Sequence, residues 1–433
     1  MSPLSVAQYL PLNKVKYDLV IFDEASQILV WDAIGTIARG KQLIVVGDPK
    51  QLPPTNFFKR TDDDDEENDE DEILDTESIL NECRAAHIQE IHLKWHYRSR
   101  HESLIAFSNH HYYENSLYTF PSARQNVEGL GVKFRYVPDG CFDSGKSRTN
   151  KVEAEQLVNA VVERLRDPDF TNKSLGIVTF NEAQQQLIDD LLEEKRQEFP
   201  EIEPFFDSER SEPVFVKNLE NVQGDERDVM YFSIGYGRTA DGRISMNFGP
   251  LNKDGGERRL NVAVTRAKEE NLVFSSMKSG DIDLSRTQKT GPEHLKYFLE
   301  YAENGGKTVQ TKATSVPAND TFDSCFEEDV AAFLREHGYT VHTQVGCSKY
   351  RIDLAIAAPD KPGEFIVGIE CDGATYHSSA TARDRDLLRQ TILEGLGWKI
   401  LRVWSTDWFT NREGAEETLL RGVEEIMQRR RNQ

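Results

Sequence analysis

The stretch Tyr17-Asp-Leu-Val-Ile-Phe-Asp-Glu24 decides the fold of the amino-terminal region. Its aliphatic and aromatic run is typical of a strand buried on both faces of a parallel sheet. Ligands gather at the carboxyl ends of such strands, so Asp23 and Glu24 form a candidate site. There an Asp can hold Mg²⁺ and a Glu can orient or deprotonate an attacking water. Alone the pair is a weak signal, because acidic residues after strands are commonplace.

The pattern continues outward from this stretch as alternating strands and helices, which predicts an α/β fold. A polar segment at residues 303–320 is typical of a linker, and a compact α/β pattern starts afresh at Thr321. We therefore expect residues 321–433 to fold alone. The predicted elements before the linker are strands at 17–22, 42–46, 132–137, 176–180 and 229–233, and a helix at 101–113.

Composition limits the class of protein. The 433 residues suffice for about two to four domains, and the net charge is −22. More than half of that charge comes from twelve acidic residues in the block 62–77, which predicts a solvated insertion at 61–77. Any nucleic-acid surface must then be a local basic strip. Five scattered cysteines, no signal peptide and no long apolar run predict a cytoplasmic, reduced protein outside the membrane.

Six short sequence segments, which follow one another along the chain, strengthen the prediction of a site at Asp23 and Glu24. They are VIFDEASQ, VVGDPKQLPPT, WHYRSRHESLIAFSN, GIVTFNEAQQQLI, NLENVQGDERDVMYFS and RRLNVAVTRAK. This series resembles motifs II to VI of superfamily 1 helicases, in the branch of the nonsense-mediated-decay helicase, over roughly residues 17–275. The resemblance implies two RecA-like parallel-sheet lobes, an incomplete first one at 1–95 and a second at 96–302.

The resemblance also implies roles in binding and hydrolysing ATP. Asp23 and Glu24 match the Walker B pair, with Asp23 as the metal ligand, and Gln51 matches the sensor of the γ-phosphate. Arg98 and Arg266 match the arginines that stabilise phosphoryl charge, a task worth about 10³–10⁵ in rate. The remaining matches in the nucleotide-binding set are Gln184, Gln223, Gly224 and Glu226.

A phosphate-binding loop before the Walker B strand is missing from this series. Residues 140–147 (GCFDSGKS) satisfy the loop pattern formally, but they follow the Walker B strand, and the next helical pattern starts several residues too late. We expect the chain alone not to hydrolyse ATP efficiently. ATP would be a cofactor only if the missing part were supplied, for example by a separate chain. The alternative is a motor that uses Lys146.

The carboxy-terminal pattern places carboxylates on two neighbouring strands. In the strand pattern YRIDLAI, Asp353 lies on the face opposite the apolar residues. In the strand pattern FIVGIECDG, Glu370 and Asp372 share the face opposite the apolar residues of that strand. Such carboxylates can hold a hard divalent cation, which activates water for phosphodiester cleavage. Glu327 lies three residues after Ser324, so it fits a capping box as well as a site.

This region resembles the very-short-patch-repair-like and restriction-endonuclease-like nucleases of the PD-(D/E)xK fold, with an αβββαβ core, over residues 321–410. The resemblance implies that Glu327 is the helix carboxylate and that Asp353 and Glu370 bind Mg²⁺ or Mn²⁺. The backbone carbonyl of Cys371 would join them. Asp372 replaces the usual Lys, and the candidates to supply its function are Arg389, Gln390 and His377.

Three functions fit these features. The first is a metal-dependent endonuclease acting on DNA, or on RNA, attached to an incomplete helicase motor. The second is an ATP-active DNA or RNA helicase completed by another part. The third is a DNA-binding remnant without catalysis, in which Asp372 marks a dead nuclease. The intact pair of Asp353 and Glu370 favours the first.

Overall fold

A computed structural model of the chain describes most of its residues. The acidic block at 61–77, His377 and most of the predicted linker lie outside the described part, and so do the side chains of residues 380–387. No helix in the described part is long and apolar enough to cross a membrane. The described residues are 1–54, 78–124, 129–307, 322–346, 350–361, 363–373 and 380–431.

The first sheet pairs two parallel strands, β1 (Tyr17–Phe22) and β2 (Gly40–Val45). Val20 and Phe22 turn inward and are buried, but the prediction that this strand is buried on both faces is wrong. The opposite face stays open in the described part: Ile21 is 59% exposed and Ile44 is 46% exposed. The helices beside this sheet are Pro3–Tyr9, Val30–Ile37 and Ile79–Ala85.

The second sheet has five parallel strands in the order β3-β7-β6-β4-β5. These strands are β3 (Gly131–Tyr136), β4 (Leu175–Thr179), β5 (Phe215–Asn218), β6 (Arg227–Ser233) and β7 (Ala267–Ser275). Its helices are Ser103–His111, Lys151–Leu165, Glu182–Glu198, Gly256–Val264 and Thr290–Glu303. Every residue of β4 is buried, because helices cover both faces of a parallel sheet. The predicted α/β class with RecA-like parallel-sheet lobes is confirmed.

The third sheet is mixed, in the order β11-β10-β9-β8. Strands β8, β9 and β10 pair antiparallel, and β11 pairs parallel to β10. The elements of this region, in chain order, are the helix Cys325–Glu336, β8 (Val341–Val345), β9 (Ile352–Ala357), β10 (Phe365–Asp372), the helix Ala380–Gly395, β11 (Ile400–Trp404) and the helices Ser405–Thr410 and Arg412–Arg431. The predicted αβββαβ order is confirmed.

One apolar cluster joins the second and third regions. Phe120 and Ala123 come from the segment 118–124, which follows the helix Ser103–His111. They pack against the third sheet and its helix, where Trp398 is fully buried. The indole Nε1 of Trp398 donates to the carbonyl oxygen of Pro121 at 2.7 Å. The core of the third region is therefore shared with a segment of the second.

Candidate functional site

The first candidate site begins at the carboxyl end of β1. Asp23 and Glu24 follow this strand directly, and the Asp23 Oδ1 accepts a hydrogen bond from the Glu24 amide at 3.0 Å. Glu24 has φ of 51° and ψ of 39°, in the left-handed region that non-glycine residues rarely adopt. After this turn the Glu24 carboxylate contacts the second region, where the Gln223 Nε2 donates to it.

Two glutamines connect the regions at this point. The Gln223 Nε2 lies 3.2 Å from the Glu24 Oε2 and 3.5 Å from the Gln51 Oε1. The Gln51 Nε2 in turn donates to Asp48 at 3.2 Å. Gly224 has φ of +88°, a conformation that strains other residues. This glycine turn lets Gln223 reach Glu24 across the boundary.

Both predicted arginines lie near the same cluster. The Arg98 Nε pairs with the Glu226 Oε2 at 2.8 Å, and Lys268 pairs with the other Glu226 oxygen at 3.3 Å. Arg266 is 5% exposed, and its Nε donates to the carbonyl of Val262 at 2.8 Å. Burial and then the charge of Arg98 lower the pKa of Arg266, while Glu24 opposes this effect. Anionic phosphate oxygens would complement these cations.

Contacts that sequence reasoning missed fix the two regions together. The Tyr113 hydroxyl donates to the Asp48 Oδ2 at 2.7 Å. The Asn261 Nδ2 lies 2.9 Å from the carbonyl of Lys50 and 3.0 Å from the Tyr113 hydroxyl. Leu52 is buried in the core of the second region. Sequence alone offered no signal for these pairs, because their partners are far apart in the chain.

Gln184 lies apart from this cluster. Its side chain is fully buried in the second region and holds the backbone of Asn150: the Oε1 accepts from the amide at 2.8 Å, and the Nε2 donates to the carbonyl at 3.1 Å. The Nε2 also donates to Ser233 at 3.0 Å. With its polar atoms satisfied inside the lobe, Gln184 serves packing in this structure. The nucleotide contact that the resemblance implies for Gln184 stays a prediction.

The loop at residues 140–147 has no phosphate cradle. The Asp143 Oδ2 accepts from the Ser147 amide at 3.3 Å and from its hydroxyl at 3.1 Å. A carboxylate thus occupies the loop where a phosphate would need amide donors. The following helix begins at Lys151, capped by Asn150. These features agree with the rejection of Lys146 as a phosphate-loop lysine.

The second candidate site lies between β9 and β10. Asp353 on β9 and Glu370 on β10 stand next to the paired residues Leu354 and Ile369. The Cys371 amide donates to the Asp353 Oδ2 at 2.8 Å. Burial, and next the charge of Glu370, raise the pKa of Asp353 to about 7. Burial also raises the pKa of Glu370, which is 8% exposed.

Glu327 lies beside this pair and also accepts hydrogen bonds at the start of its own helix. Its Oε1 accepts from the Ser324 hydroxyl at 2.9 Å, while the Ser324 Oγ accepts from the Glu327 amide at 3.3 Å. Its Oε2 accepts from the Gln344 Nε2 at 3.0 Å. The charge of Glu327 still contributes to the raised pKa of Asp353. Ser324 therefore caps the helix, but Glu327 accepts from the Ser324 hydroxyl and the Asp323 amide and not from the Ser324 amide, as a capping box would require.

Cations surround the acidic residues of the second site. The Arg389 guanidinium lies 3.5 Å from the Glu370 Oε2 and stacks on the Tyr350 ring, 3.5 Å from its centroid. Arg402 pairs with Asp372 at 3.3 Å. Asp372, in place of the usual Lys, is thus tied to a neighbouring strand. The Gln390 Nε2 donates to the Glu394 Oε1 at 2.9 Å, one turn along the same helix. Of the neighbours Arg389 and Gln390, only Arg389 therefore contacts the site.

The donor set suits a cation that keeps water ligands. Within the described residues, no three His, Cys, Asp or Glu side chains meet in a group that could hold a metal ion. Mg²⁺ is commonly bound through one or two carboxylates plus water and substrate phosphate. Asp353 and Glu370 provide two such carboxylates, and burial raises the pKa of both, so a bound cation would favour their charged forms.

Tyr350 belongs to the segment YRIDLAI, in which the sequence indicated no role for it. Its hydroxyl donates to the Glu370 Oε1 at 2.7 Å. Because Tyr350 precedes β9 (Ile352–Ala357), strand alternation could not assign the direction of its side chain. An aromatic residue three positions before Asp353 was the one available signal, and it is a weak one.

Family models match most of the chain. Two models of an AAA domain match residues 1–59 and 74–278, and a restriction-endonuclease model, REase_MTES_1575, matches residues 326–423. The first two ranges contain Glu24, Gln51, Arg98, Gln223 and Arg266, which we call the interlobe cluster. The third range contains Asp353 and Glu370.

Similar proteins carry helicase names. An uncharacterized ATP-dependent helicase of Mycoplasma pneumoniae is 29% identical over 96% of this chain and 37% of its own length. Its counterpart in Mycoplasma genitalium is 30% identical over 95% of this chain and 37% of its own length. Helicase sen1 of Schizosaccharomyces pombe is 26% identical over 62% of this chain and 15% of its own length.

This chain spans little more than a third of the length of the two mycoplasmal relatives. The matched ranges cover both the helicase motifs and the nuclease pattern, in the order that the sequence predicted. The chain belongs to the superfamily 1 helicases of the nonsense-mediated-decay type, and a restriction-endonuclease-like domain follows its helicase part.

Proposed function

We propose that this protein is a metal-dependent phosphodiester hydrolase that cuts DNA, with its nuclease domain attached to a helicase motor. The observation that carries the proposal is a pair of carboxylates on the neighbouring strands β9 and β10, the half-buried Asp353 and the buried Glu370. Structural acidic residues seldom share a buried site without a cation, because each charge raises the pKa of the other.

The residues of the second site have different roles in the proposed cleavage. Asp353 and Glu370 would hold Mg²⁺ or Mn²⁺, with the backbone carbonyl of Cys371 as a further ligand. The cation, when bound, lowers the pKa of water and stabilises charge on the scissile phosphate. The amide of Cys371 fixes the orientation of the Asp353 carboxylate. Arg389 is the cation nearest Glu370, and a guanidinium can donate to two phosphate oxygens at once.

Arg389 is also the best replacement for the missing Lys. Its Nε is buried and has no hydrogen-bond partner among the described residues. An unsatisfied buried donor is costly, and a bound phosphate would satisfy it. Asp372 is paired with Arg402, so its negative charge is partly neutralised. The change from Lys to Asp therefore leaves the site with a usable cation.

A cleavage assay tests this proposal. Supercoiled plasmid, linear single-stranded DNA and RNA are incubated with the 433-residue polypeptide and Mg²⁺, Mn²⁺ or EDTA. We expect cleavage of DNA with either metal and none with EDTA. If no nucleic acid is cut with any metal, the domain is a binding remnant. Cleavage of RNA alone would change the substrate class.

The interlobe cluster supports a second proposed activity, which is movement along nucleic acid driven by ATP hydrolysis. Glu24, Gln51, Gln223, Arg98 and Arg266 meet at one boundary, as an enzyme that binds phosphates between lobes requires. Before the Walker B strand at residues 17–22, the sequence has no phosphate-binding-loop pattern. We infer that ATP turnover needs residues outside these 433, in the same protein or a partner chain. Nucleic-acid binding by the helicase part is proposed from the relatives' names.

A further inference from the structure

A row of aromatic rings runs from the helicase part into the nuclease site. The rings of Trp95 and Phe120 meet edge to face with centroids 5.5 Å apart. Phe120 then contacts the Tyr350 ring at 5.3 Å, and the Tyr350 hydroxyl donates to the Glu370 Oε1 at 2.7 Å. Phe120 is 5% exposed, so this contact is part of a core. A helicase residue therefore backs the side chain that binds Glu370.

Backbone hydrogen bonds anchor this row on the nuclease side. The amide of Phe365, at the start of β10, donates to the carbonyl of Ala123 at 2.8 Å. The indole of Trp398 donates to the carbonyl of Pro121 at 2.7 Å. Together they hold the segment 118–124 against the third sheet, with Phe120 pressed towards Tyr350.

Backbone pairing also anchors the row on the helicase side. The amide of Tyr118 donates to the carbonyl of Lys94 at 2.7 Å, and the amide of His96 donates to the carbonyl of Tyr118 at 2.9 Å. Two residues further along, Arg98 pairs with Glu226 at the interlobe cluster. The segment 94–98 thus carries Arg98 at the first site and Trp95 in the aromatic row. It reaches the second site only through Phe120 and Tyr350.

Tyr350 is held between two neighbours. Phe120 packs on its ring at a centroid distance of 5.3 Å, and the Arg389 guanidinium stacks on the ring at 3.5 Å. A shift of the ring would move its hydroxyl away from Glu370 and remove the stacking surface of Arg389. Removing the Phe120 side chain leaves a cavity beside the ring, and a partly relaxed cavity lets neighbours move.

We propose that Phe120 is a positioning residue of the nuclease site: through Tyr350 it fixes Glu370 and Arg389, so that the site is complete only when the helicase part is docked. This inference rests on the proposed function, because it assigns a purpose to the same carboxylates. Its distinctive consequence is that a substitution in the helicase part weakens the binding of a divalent cation in the nuclease domain.

The experiment measures the affinity of the 433-residue polypeptide for Mn²⁺ by electron paramagnetic resonance of the free ion. The variants are Phe120→Ala, Phe120→Leu and Tyr350→Phe. Tyr350→Phe keeps the ring stack and removes only the hydroxyl. We expect Phe120→Ala and Tyr350→Phe to weaken Mn²⁺ binding about tenfold, as for loss of one hydrogen bond to a charged group. Phe120→Leu should restore part of the loss.

Phe142→Ala is the matched control. Phe142 is 6% exposed and packs on Tyr236 inside the second region, away from the aromatic row. It should cost similar stability and leave Mn²⁺ affinity at the parent value. In cleavage assays, Phe120→Ala should lower kcat and require more metal for half-maximal rate, with the KM for DNA little changed. A purely structural role would affect both alanine variants alike.

Asp353→Asn separates failure of this inference from failure of the proposed function. If Asp353→Asn binds Mn²⁺ like the parent, the metal site itself is wrong. If Asp353→Asn loses Mn²⁺ while Phe120→Ala and Tyr350→Phe bind it like the parent, the positioning role is overturned. Should Phe120→Ala fail to fold, Tyr350→Phe decides the question, because it removes a single oxygen atom.

Discussion

The Gln223 Nε2 lies 3.2 Å from the Glu24 Oε2, although 199 positions separate the two residues in the chain. This contact joins the end of β1 to the glycine turn before β6, across the boundary between the first and second sheets. The groups that resemble a helicase's ATP machinery therefore stand together, whereas the phosphate cradle is not among them.

The first prediction concerns ATP. The 433-residue polypeptide should show no appreciable nucleic-acid-stimulated ATPase activity, because a carboxylate occupies the loop at 140–147. Lys146→Ala should change nothing in a phosphate-release assay. A robust rate that disappears in Lys146→Ala would overturn this prediction and favour the motor that uses Lys146.

The second prediction concerns the two carboxylates. Asp353→Asn and Glu370→Gln should lower plasmid cleavage to less than about a hundredth of the parent rate, since a metal contributes several kcal/mol to the transition state. Both should leave the fold intact, and without metal they should raise the thermal midpoint slightly by removing repulsion. Asp372→Ala should have a smaller effect. The exposed Asp407→Asn is the control, and parental rates in both ligand variants would refute the assignment.

The third prediction distinguishes the neighbours Arg389 and Gln390. Arg389→Ala should lower kcat about 10²-fold, as when one preorganised donor to transition-state charge is lost. Arg389→Lys should retain part of the activity, because it keeps the charge but not the planar fork. Gln390→Ala should cut at the parent rate, since its amide is bonded to Glu394. Equal losses for the two alanine variants would argue against Arg389 as the substitute cation.

The fourth prediction concerns acid stability. Burial, and next a nearby Arg98 or Lys133, lowers the pKa of His96 and of His101 to about 4. In the unfolded chain both histidines take up protons near pH 6.5, so unfolding becomes more favourable as the pH falls from 6.5 towards 4. Each should reduce the unfolding free energy by about 1.4 kcal/mol per pH unit in that window.

Urea titrations at pH 7.5 and pH 5.0 measure this effect. The double variant His96→Asn with His101→Asn should lose less stability on acidification than the parent. The exposed His110→Gln serves as the control and should follow the parent. If the double variant lost as much stability between the two pH values as the parent does, the two histidines would not be buried as neutral groups.

The fifth prediction concerns residues 321–433 expressed alone. The segment should still fold cooperatively, as the sequence predicted, because its sheet is complete. It should melt at a lower temperature than the same domain in the full polypeptide, since Trp398 loses the cover of Phe120 and Ala123. Burying one large apolar side chain is worth about 1.5–3 kcal/mol. An equal midpoint and no binding of a hydrophobic dye would show that the contact contributes little.

Local patterns predicted the secondary structure closely. The strand predicted at residues 17–22 coincides with β1, and the strand predicted at residues 229–233 lies within β6. Both segments have strong periodicity or apolar runs and clear polar ends. The carboxylates Asp353 and Glu370 were found because strand alternation places them opposite the apolar face.

Contacts between distant segments could not be predicted in this way. Nothing in the sequence near Phe120 indicates that its ring packs on Tyr350, 230 positions later, because shape complementarity has no local signature. Gln184 is a second example. Its motif implied a nucleotide contact, which stays a prediction, and nothing in the sequence indicated that its amide bonds to the backbone of Asn150. The resemblance predicted the family correctly, whereas the direction of each side chain depends on packing between distant segments.

The open face of β1 and β2 has a consequence for the colloidal behaviour of this polypeptide. Ile21 and Ile44 expose apolar surface there, and a contiguous patch of this kind promotes association between copies. The net charge of −22 opposes that association at long range. Salt shortens the range of repulsion from about 10 Å at 0.1 M to about 3 Å at 1 M. Solutions of residues 1–433 should therefore be clear and monodisperse in dilute buffer and grow turbid as salt is added, the reverse of a protein that aggregates through opposite charges.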